Sequence, residues 1–368
     1  MNNKYNSWCK WHPLKTIMLG RSYYPEYYRD IGNPRIKDCL VRIAEETEED
    51  FKNYEKVLTD FGCEVIRPEL DPNENIMDYV DDEEKSWRVQ PNAWTGTILR
   101  PPAQPRDAQL VMGNELLLTG RDNPAIQETL LKYNSTDVSD LVEETRNIII
   151  SEDEAFHHVS GEKLLGQGAL EFDAPTMTCV GNRVYIDRKE IPKAVIDLLK
   201  VKYPDREFIQ VKIGGHSDGC FHTLKPGAII SLNEIQSYKD TFPGWDVCYL
   251  PDQSWSLVEP FSVLKKKNKG KWWLAGEENN NDFTNFVETW LTDWVGYVEE
   301  TVFDVNVVML DDSHVCVSNY NKQVFDFLEK HNIEPIIVPF RHRYFWDGGL
   351  HCVTLDLYRE GSMENYFE

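Results

Sequence analysis

Four short segments carry residue types that can act together on a carbon–nitrogen bond. Near the C-terminus runs Asp347-Gly348-Gly349-Leu350-His351-Cys352-Val353-Thr354-Leu355-Asp356, in which a paired glycine ends a loop and an apolar alternation begins just after the cysteine. That pattern puts Cys352 at the entrance of a strand, where a thiolate can face a cleft. Phe172-Asp173-Ala174 offers a carboxylate, and Gly215-His216-Ser217-Asp218 offers a histidine with a second acid two residues on. Gln104-Pro105-Arg106-Asp107 offers a further acid. A cysteine, a histidine and several carboxylates suit nucleophilic attack on a guanidinium carbon. That cation needs anions around it and a proton for its leaving amine.

The remaining reactive types have plainer readings. Cys39, Cys63, Cys179, Cys248 and Cys316 read as small buried hydrophobes, and Cys220, close to His216, as core packing. His351 adjoins Cys352, and strand neighbours point to opposite faces, so it reads as a packing residue. His157, His158 and His314 lack ligand partners at a useful spacing. Zinc on His216, Asp218 and Cys352 is chemically conceivable, but nothing in the chain requires a metal. Arg341, His342 and Arg343 offer either a carboxylate clamp or a solvated surface.

The elements that would position these groups recur through the chain. The unit is strand, tight turn, strand, amphipathic helix and closing strand. In the last copy, Val305 to Leu310 predicts a strand, Asp311-Asp312-Ser313 a turn and His314 to Val317 a second strand. Val324 to Lys330 then predicts a helix, and Ile336 to Pro339 closes the unit. Met177 to Val180, Gly181-Asn182, Val184 to Ile186, Ala194 to Leu199 and Phe208 to Val211 repeat the scheme. Gln109 to Met112, Gly113-Asn114 and Leu116 to Leu118 begin another copy. His222 to Leu224, Lys225-Pro226-Gly227 and Ala228 to Ser231 begin a fourth, which ends at Trp245 to Leu250. The first copy starts at Thr16 to Gly20, runs through an acidic helix near Ile36 to Phe61 and ends at Cys63 to Pro68. Five such units in a ring would form an α/β propeller whose joints converge at one mouth, and Asp107, Asp173, His216, Asp218 and Cys352 all fall in joints. Two regions break the pattern: the polar connection Asp71 to Gln104, and Gln253 to Glu300 with tryptophans 255, 272, 273, 290 and 294. Helical spacing over Asp282 to Val298 predicts a packed insertion, with a lid or subunit contact as the alternative.

Composition frames this reading. The 368 residues admit two or three domains, and 41% hydrophobic content suffices for a substantial core. A formal charge of −23 opposes binding to nucleic acid or an anionic membrane and favours cationic solutes. The eight cysteines contain no CxxC pair, which predicts reduced thiols in a cytoplasmic compartment. No apolar signal core opens the chain, and no run approaches the roughly 18 apolar residues of a spanning helix.

Taken in order, these motifs resemble the glycine amidinotransferase family of the pentein superfamily. Ser7-Trp8 with His12-Pro13-Leu14-Lys15 is similar to the family's opening segment, and Pro105-Arg106-Asp107 with Val111 to Glu115 to its PRD…VGNE motif. Phe172-Asp173-Ala174, His216-Ser217-Asp218, and Gly348 to Cys352 with Thr354, Asp356 and Gly361 resemble its FDA, HxD and GGxHCxTxDxxxxG segments. The resemblance implies a single catalytic domain over 1–368, a five-bladed α/β propeller of pseudo-fivefold ββαβ repeats with an insertion at about 253–300. It implies Cys352 as nucleophile, His216 as general acid and base, Asp173 as its partner, and Asp107 and Asp218 as guanidinium-binding acids. The implied partners are a small guanidino donor and an amine acceptor, without cofactor or metal, in a homodimer. Thr176 stands where the family has a second acid, and Gly215 where it has methionine. Its carboxylate-clamp arginine is not evident in Ser231 to Gln236, nor its paired serines near Glu299-Glu300-Thr301. Amidino transfer is thus the expected chemistry. A hydrolase with water as acceptor and a non-catalytic binding ring are the alternatives.

Overall fold

The computed structural model describes residues 4–79, 98–148, 170–187, 191–213, 215–232, 237–250, 261–297 and 302–367. The expectations resting on His157, His158, Asn233 to Gln236, Trp255 and Glu299 to Thr301, and on much of the 71–104 connection, fall outside them.

The described strands form five three-stranded sheets of one design. In chain order they are β1 (Leu14–Leu19), β2 (Glu64–Ile66), β3 (Gln109–Met112), β4 (Glu115–Leu118), β5 (Val138–Asp140), β6 (Met177–Val180), β7 (Arg183–Asp187) and β8 (Glu207–Val211). Then come β9 (Phe221–Lys225), β10 (Ala228–Leu232), β11 (Asp246–Leu250), β12 (Val308–Met309), β13 (His314–Val317), β14 (Glu334–Ile337) and β15 (Thr354–Arg359). In every sheet the middle strand pairs antiparallel on one side and parallel on the other. The chemistry of the connections dictates this. An antiparallel pair needs only a tight turn, whereas a parallel pair needs a crossover long enough for a helix. Gly113 and Gly181 open two of the tight turns at φ +65 and +63, a region glycine occupies without a Cβ penalty. Pro34–Asp60, Pro124–Tyr133, Lys193–Lys202 and Lys322–Lys330 supply long crossovers. The first sheet takes its missing strand from the end of the chain, since β15 pairs antiparallel with β1.

Five apolar clusters hold the sheets together, each shared by two of them. Met18 and Leu355 meet Val111 and Leu116, and Met112 and Leu117 meet Val184 and Ile186. Val180 and Tyr185 meet Phe221 and Ile229, while Leu224 and Ile230 meet Met309 and Val315. Finally Val308 and Cys316 meet Ile17 and Leu19, which closes the cycle of contacts on the first sheet. Among the described residues no helix is long and apolar enough to cross a membrane.

Two expected elements differ. Val302–Val305 is one helical turn and only Val308–Met309 pairs as strand, because Asn306 between them is drawn into side-chain hydrogen bonds. The helix expected over Asp282 to Val298 is Asn281–Trp290. It stops where the chain turns to bury Trp294, whose indole donates to the Ile98 carbonyl at 2.9 Å. This segment packs inward: Trp273 and Trp294 lie in the cluster shared by the first and fifth sheets, and Trp294 stacks on Trp346 at 5.9 Å.

Candidate active site

Trp346 belongs to the loop that delivers the cysteine, and that loop is fastened to the long helix Pro34–Asp60. Arg341 pairs with Asp50 at 2.9 Å, the His342 ring with Glu46 at 2.7 Å, and the Trp346 indole with Thr47 at 2.8 Å. Arg341 and His342 therefore anchor the loop, and Arg343 lies over the Phe303 and Tyr344 rings. Gly348 and Gly349 follow because two amides occupy the space where side chains would stand. A Cβ on Gly348 would strike the Gln104 amide, and one on Gly349 would lie 2.6 Å from Asn306 Oδ1. Gly349→Ala should therefore cost about 1–3 kcal/mol of stability through overpacking, read as a lowered melting temperature.

Cys352 sits in the turn that leads into β15, 8% exposed. Its Sγ accepts a hydrogen bond from Asn306 Nδ2 at 3.0 Å and lies 3.6 Å from Asp218 Oδ2. Burial pushes the thiol well above its ordinary range, the charges of Asp218 and Asp107 push it further, and hydrogen bonds from the Gly349 backbone and the Asn306 amide work in the opposite direction.

His216 and Asp218 share the short turn before β9, and Asp173 opens the corresponding turn before β6. His216 Nε2 lies 3.2 Å from Asp173 Oδ2, both half-buried. Burial alone would lower the imidazole. The hydrogen bond and charge of Asp173, joined by the charges of Asp107 and Asp218, win and raise it to about 10. Asp107 is tied to the same joint, since its carbonyl accepts from the Ala174 N–H at 2.8 Å. Burial lifts the Asp107 carboxyl to about 7 against the pull of His216 and of Arg100, which stands 3.5 Å away. All five residues expected at the site thus come together. The shifts favour the cationic form of His216 and the protonated form of Cys352 among carboxylates, an arrangement that a cationic ligand would stabilise.

The sequence reading of His351 is corrected. Residues 351–353 form a turn rather than a strand, so His351 does not point away from Cys352's surroundings; its Nδ1 lies 2.7 Å from Asp218 Oδ2. Burial, with the nearby charges of Arg106 and Lys10, pushes His351 down to about 3 against the hydrogen bond and charge of Asp218. Burial works to raise Asp218, but the His351 hydrogen bond and the Arg106 charge hold it well below the usual carboxylate range. Asp218 is 1% exposed, and its Oδ1 has no hydrogen-bond partner among the described residues. Asn306, Gln104, Arg100 and Lys10 were not singled out from sequence. An asparagine inside the apolar run Val305 to Leu310 was the one available signal, because a buried amide needs partners. Lys10 and Arg106 line a cavity of about 60 Å³ with Asp218, His351 and Asp356. At Gly215 the φ of +136 and the open space around a would-be Cβ leave the wall beside His216 uncovered. None of the eight cysteines forms a disulfide, and no described cluster of His, Cys, Asp or Glu is arranged to hold a metal ion.

No protein-family model matches the chain. The mitochondrial glycine amidinotransferase of Xenopus laevis is 22% identical over 417 residues, covering 98% of this chain and 84% of that protein. The L-arginine:L-lysine amidinotransferase of Pseudomonas savastanoi pv. phaseolicola is 22% identical over 377 residues, covering 97% and 89%. The chain is similar to the amidinotransferases. In three dimensions it shares the fold of an amidinotransferase from Microseira wollei in the saxitoxin biosynthetic pathway, with a TM-score of 0.64 at 17% identity, over 99% of this chain and 100% of that one.

Proposed function

We propose that this chain transfers an amidino group from a guanidino donor, arginine or a relative of it, to an amine such as glycine. The transfer runs through a covalent amidino-Cys352 intermediate. The observation that carries the reading is the His216–Asp173 pair at 3.2 Å, its imidazole raised to about 10, in the same site as a buried sulfur with carboxylates around it. The similarity to amidinotransferases over nearly the whole chain supports it. The closed cycle of core clusters supports a five-bladed α/β propeller, a single domain into which the 253–300 segment is inserted.

The chemistry follows from the charges. A planar guanidinium suits bidentate carboxylate contacts, and Asp173 and Asp107 supply these at the mouth. As the cation enters, it offsets the carboxylates that keep Cys352 protonated, and the thiol proton is lost to solvent. Sγ bonds to the guanidinium carbon, and the bond from that carbon to the donor's substituted nitrogen breaks. His216 gives its proton to the departing amine. The acceptor amine then attacks the amidino carbon, neutral His216 takes its proton, and the C–S bond breaks to return the thiolate. Two half-reactions sharing one covalent enzyme give ping-pong kinetics.

The test is intact-protein mass spectrometry after mixing with arginine, followed by detection of ornithine and guanidinoacetate when glycine is added. An amidino adduct that glycine discharges as guanidinoacetate supports the whole reading. An adduct that turns over without any amine would replace transfer by hydrolysis. Absence of adduct with arginine and with other guanidino compounds would overturn the covalent mechanism.

A further inference from the structure

Asn306 is 1% exposed, and every polar atom of its side chain is engaged. Its Oδ1 accepts from the backbone N–H groups of His351 at 2.8 Å and Cys352 at 3.1 Å. Its Nδ2 donates to the Asp218 carbonyl at 3.1 Å and to Cys352 Sγ at 3.0 Å. Three of these four partners are backbone groups whose donor or acceptor nature is fixed. Flipping the amide would set its oxygen against a carbonyl and its NH₂ against two N–H groups, so the face turned to sulfur is a donor. One side chain thereby ties together the joint before β9, the joint before β12 and the turn before β15.

We propose that Asn306 stabilises the Cys352 thiolate once its proton leaves, and that Gly349 is glycine to make room for it. In the thiol form the sulfur has Asp218 Oδ2 as the acceptor for its S–H, and the Gly349 backbone N–H and the Asn306 amide as donors. When the proton leaves, the Asp218 contact turns repulsive and the Asn306 contact becomes charge-assisted, the stronger kind of hydrogen bond. The same amide fixes the peptide that carries Cβ, so the lone pair it holds is aimed as well as stabilised. This inference rests on Cys352 being the nucleophile, but its test needs no substrate.

Alkylation of Cys352 by iodoacetamide, followed across pH on the Cys352 peptide with Cys352→Ser as blank, reads the thiolate directly. Asn306→Ala should slow alkylation at fixed pH by about 10- to 100-fold and move the profile about one to two units alkaline. Asn306→Asp keeps an oxygen acceptor for both backbone N–H groups but loses the donor to sulfur. It should be slowed at least as much, in protein whose melting curve shows a native fold. Should aspartate restore wild-type reactivity, the residue would be an acceptor for backbone alone and the proposal would fall. If the aspartate protein does not fold, alanine decides: an unshifted profile overturns the proposal and an alkaline shift supports it. A wild-type Cys352 that stays unreactive at every pH would overturn this inference and the covalent mechanism together. Normal alkylation with no amidino adduct would overturn only the latter.

Discussion

Cys352→Ser is expected to form no adduct with any guanidino compound that the wild-type protein turns over, and to lose about 10⁴-fold or more in turnover. The substitution is nearly isosteric, so its melting temperature should stay close to that of the wild type. The loss comes from electronic character. A serine hydroxyl is far harder to ionise than a thiol, and this site already opposes ionisation through burial and through the charges of Asp218 and Asp107. A cationic substrate helps a thiol across that barrier and cannot do enough for an alcohol. The check is paired: intact mass for the adduct and product formation for turnover. More than a hundredth of wild-type turnover in Cys352→Ser would mean that the amine attacks the donor directly, without a covalent enzyme.

How much of this was legible in the sequence depended on which interactions were local. β3 and β6 are legible to the residue, because each is an apolar run ending in a Gly-Asn turn, and turn chemistry acts within four residues. The long acidic helix was legible from its length and spacing. The failures share a different cause. Val305 to Leu310 alternates as a strand should, but Asn306 is claimed by partners 45, 46 and 88 residues away in the chain, and those contacts break the strand. The reading of His351 fails because it extends strand geometry three residues ahead of β15, into a turn. Sequence order also concealed that β15 completes the first sheet, which is what carries the nucleophile loop from the last unit back to the first. The site residues themselves were legible as types in joints. Their protonation states were not, because these arise from burial and from charges contributed by different units.

The imidazole of His216 shows how far those states depend on one neighbour. Its raised value of about 10 has the Asp173 hydrogen bond and charge as its leading favourable cause, against the opposing effect of burial. Asp173→Asn removes the charge and keeps the shape. The His216 value should then fall towards the ordinary histidine value of about 6.5, with only Asp107 and Asp218 left to support the cation. The wild-type protein should form adduct with His216 already protonated up to a limb near pH 10. In Asp173→Asn the limb should move down by more than one unit, and at pH 8 the donor's amine should depart about 10²-fold more slowly for want of a general acid. The sign carries over to stability. A folded value raised above the unfolded one gives stabilisation that is complete below about pH 6.5 and disappears as pH rises through about 10. The stability deficit of Asp173→Asn relative to wild type should therefore shrink across that interval. Titration of the His216 ring by NMR in both proteins measures the cause without substrate. Equal titration curves would show that Asp173 does not set the proton, and would leave it only a role in gripping the donor.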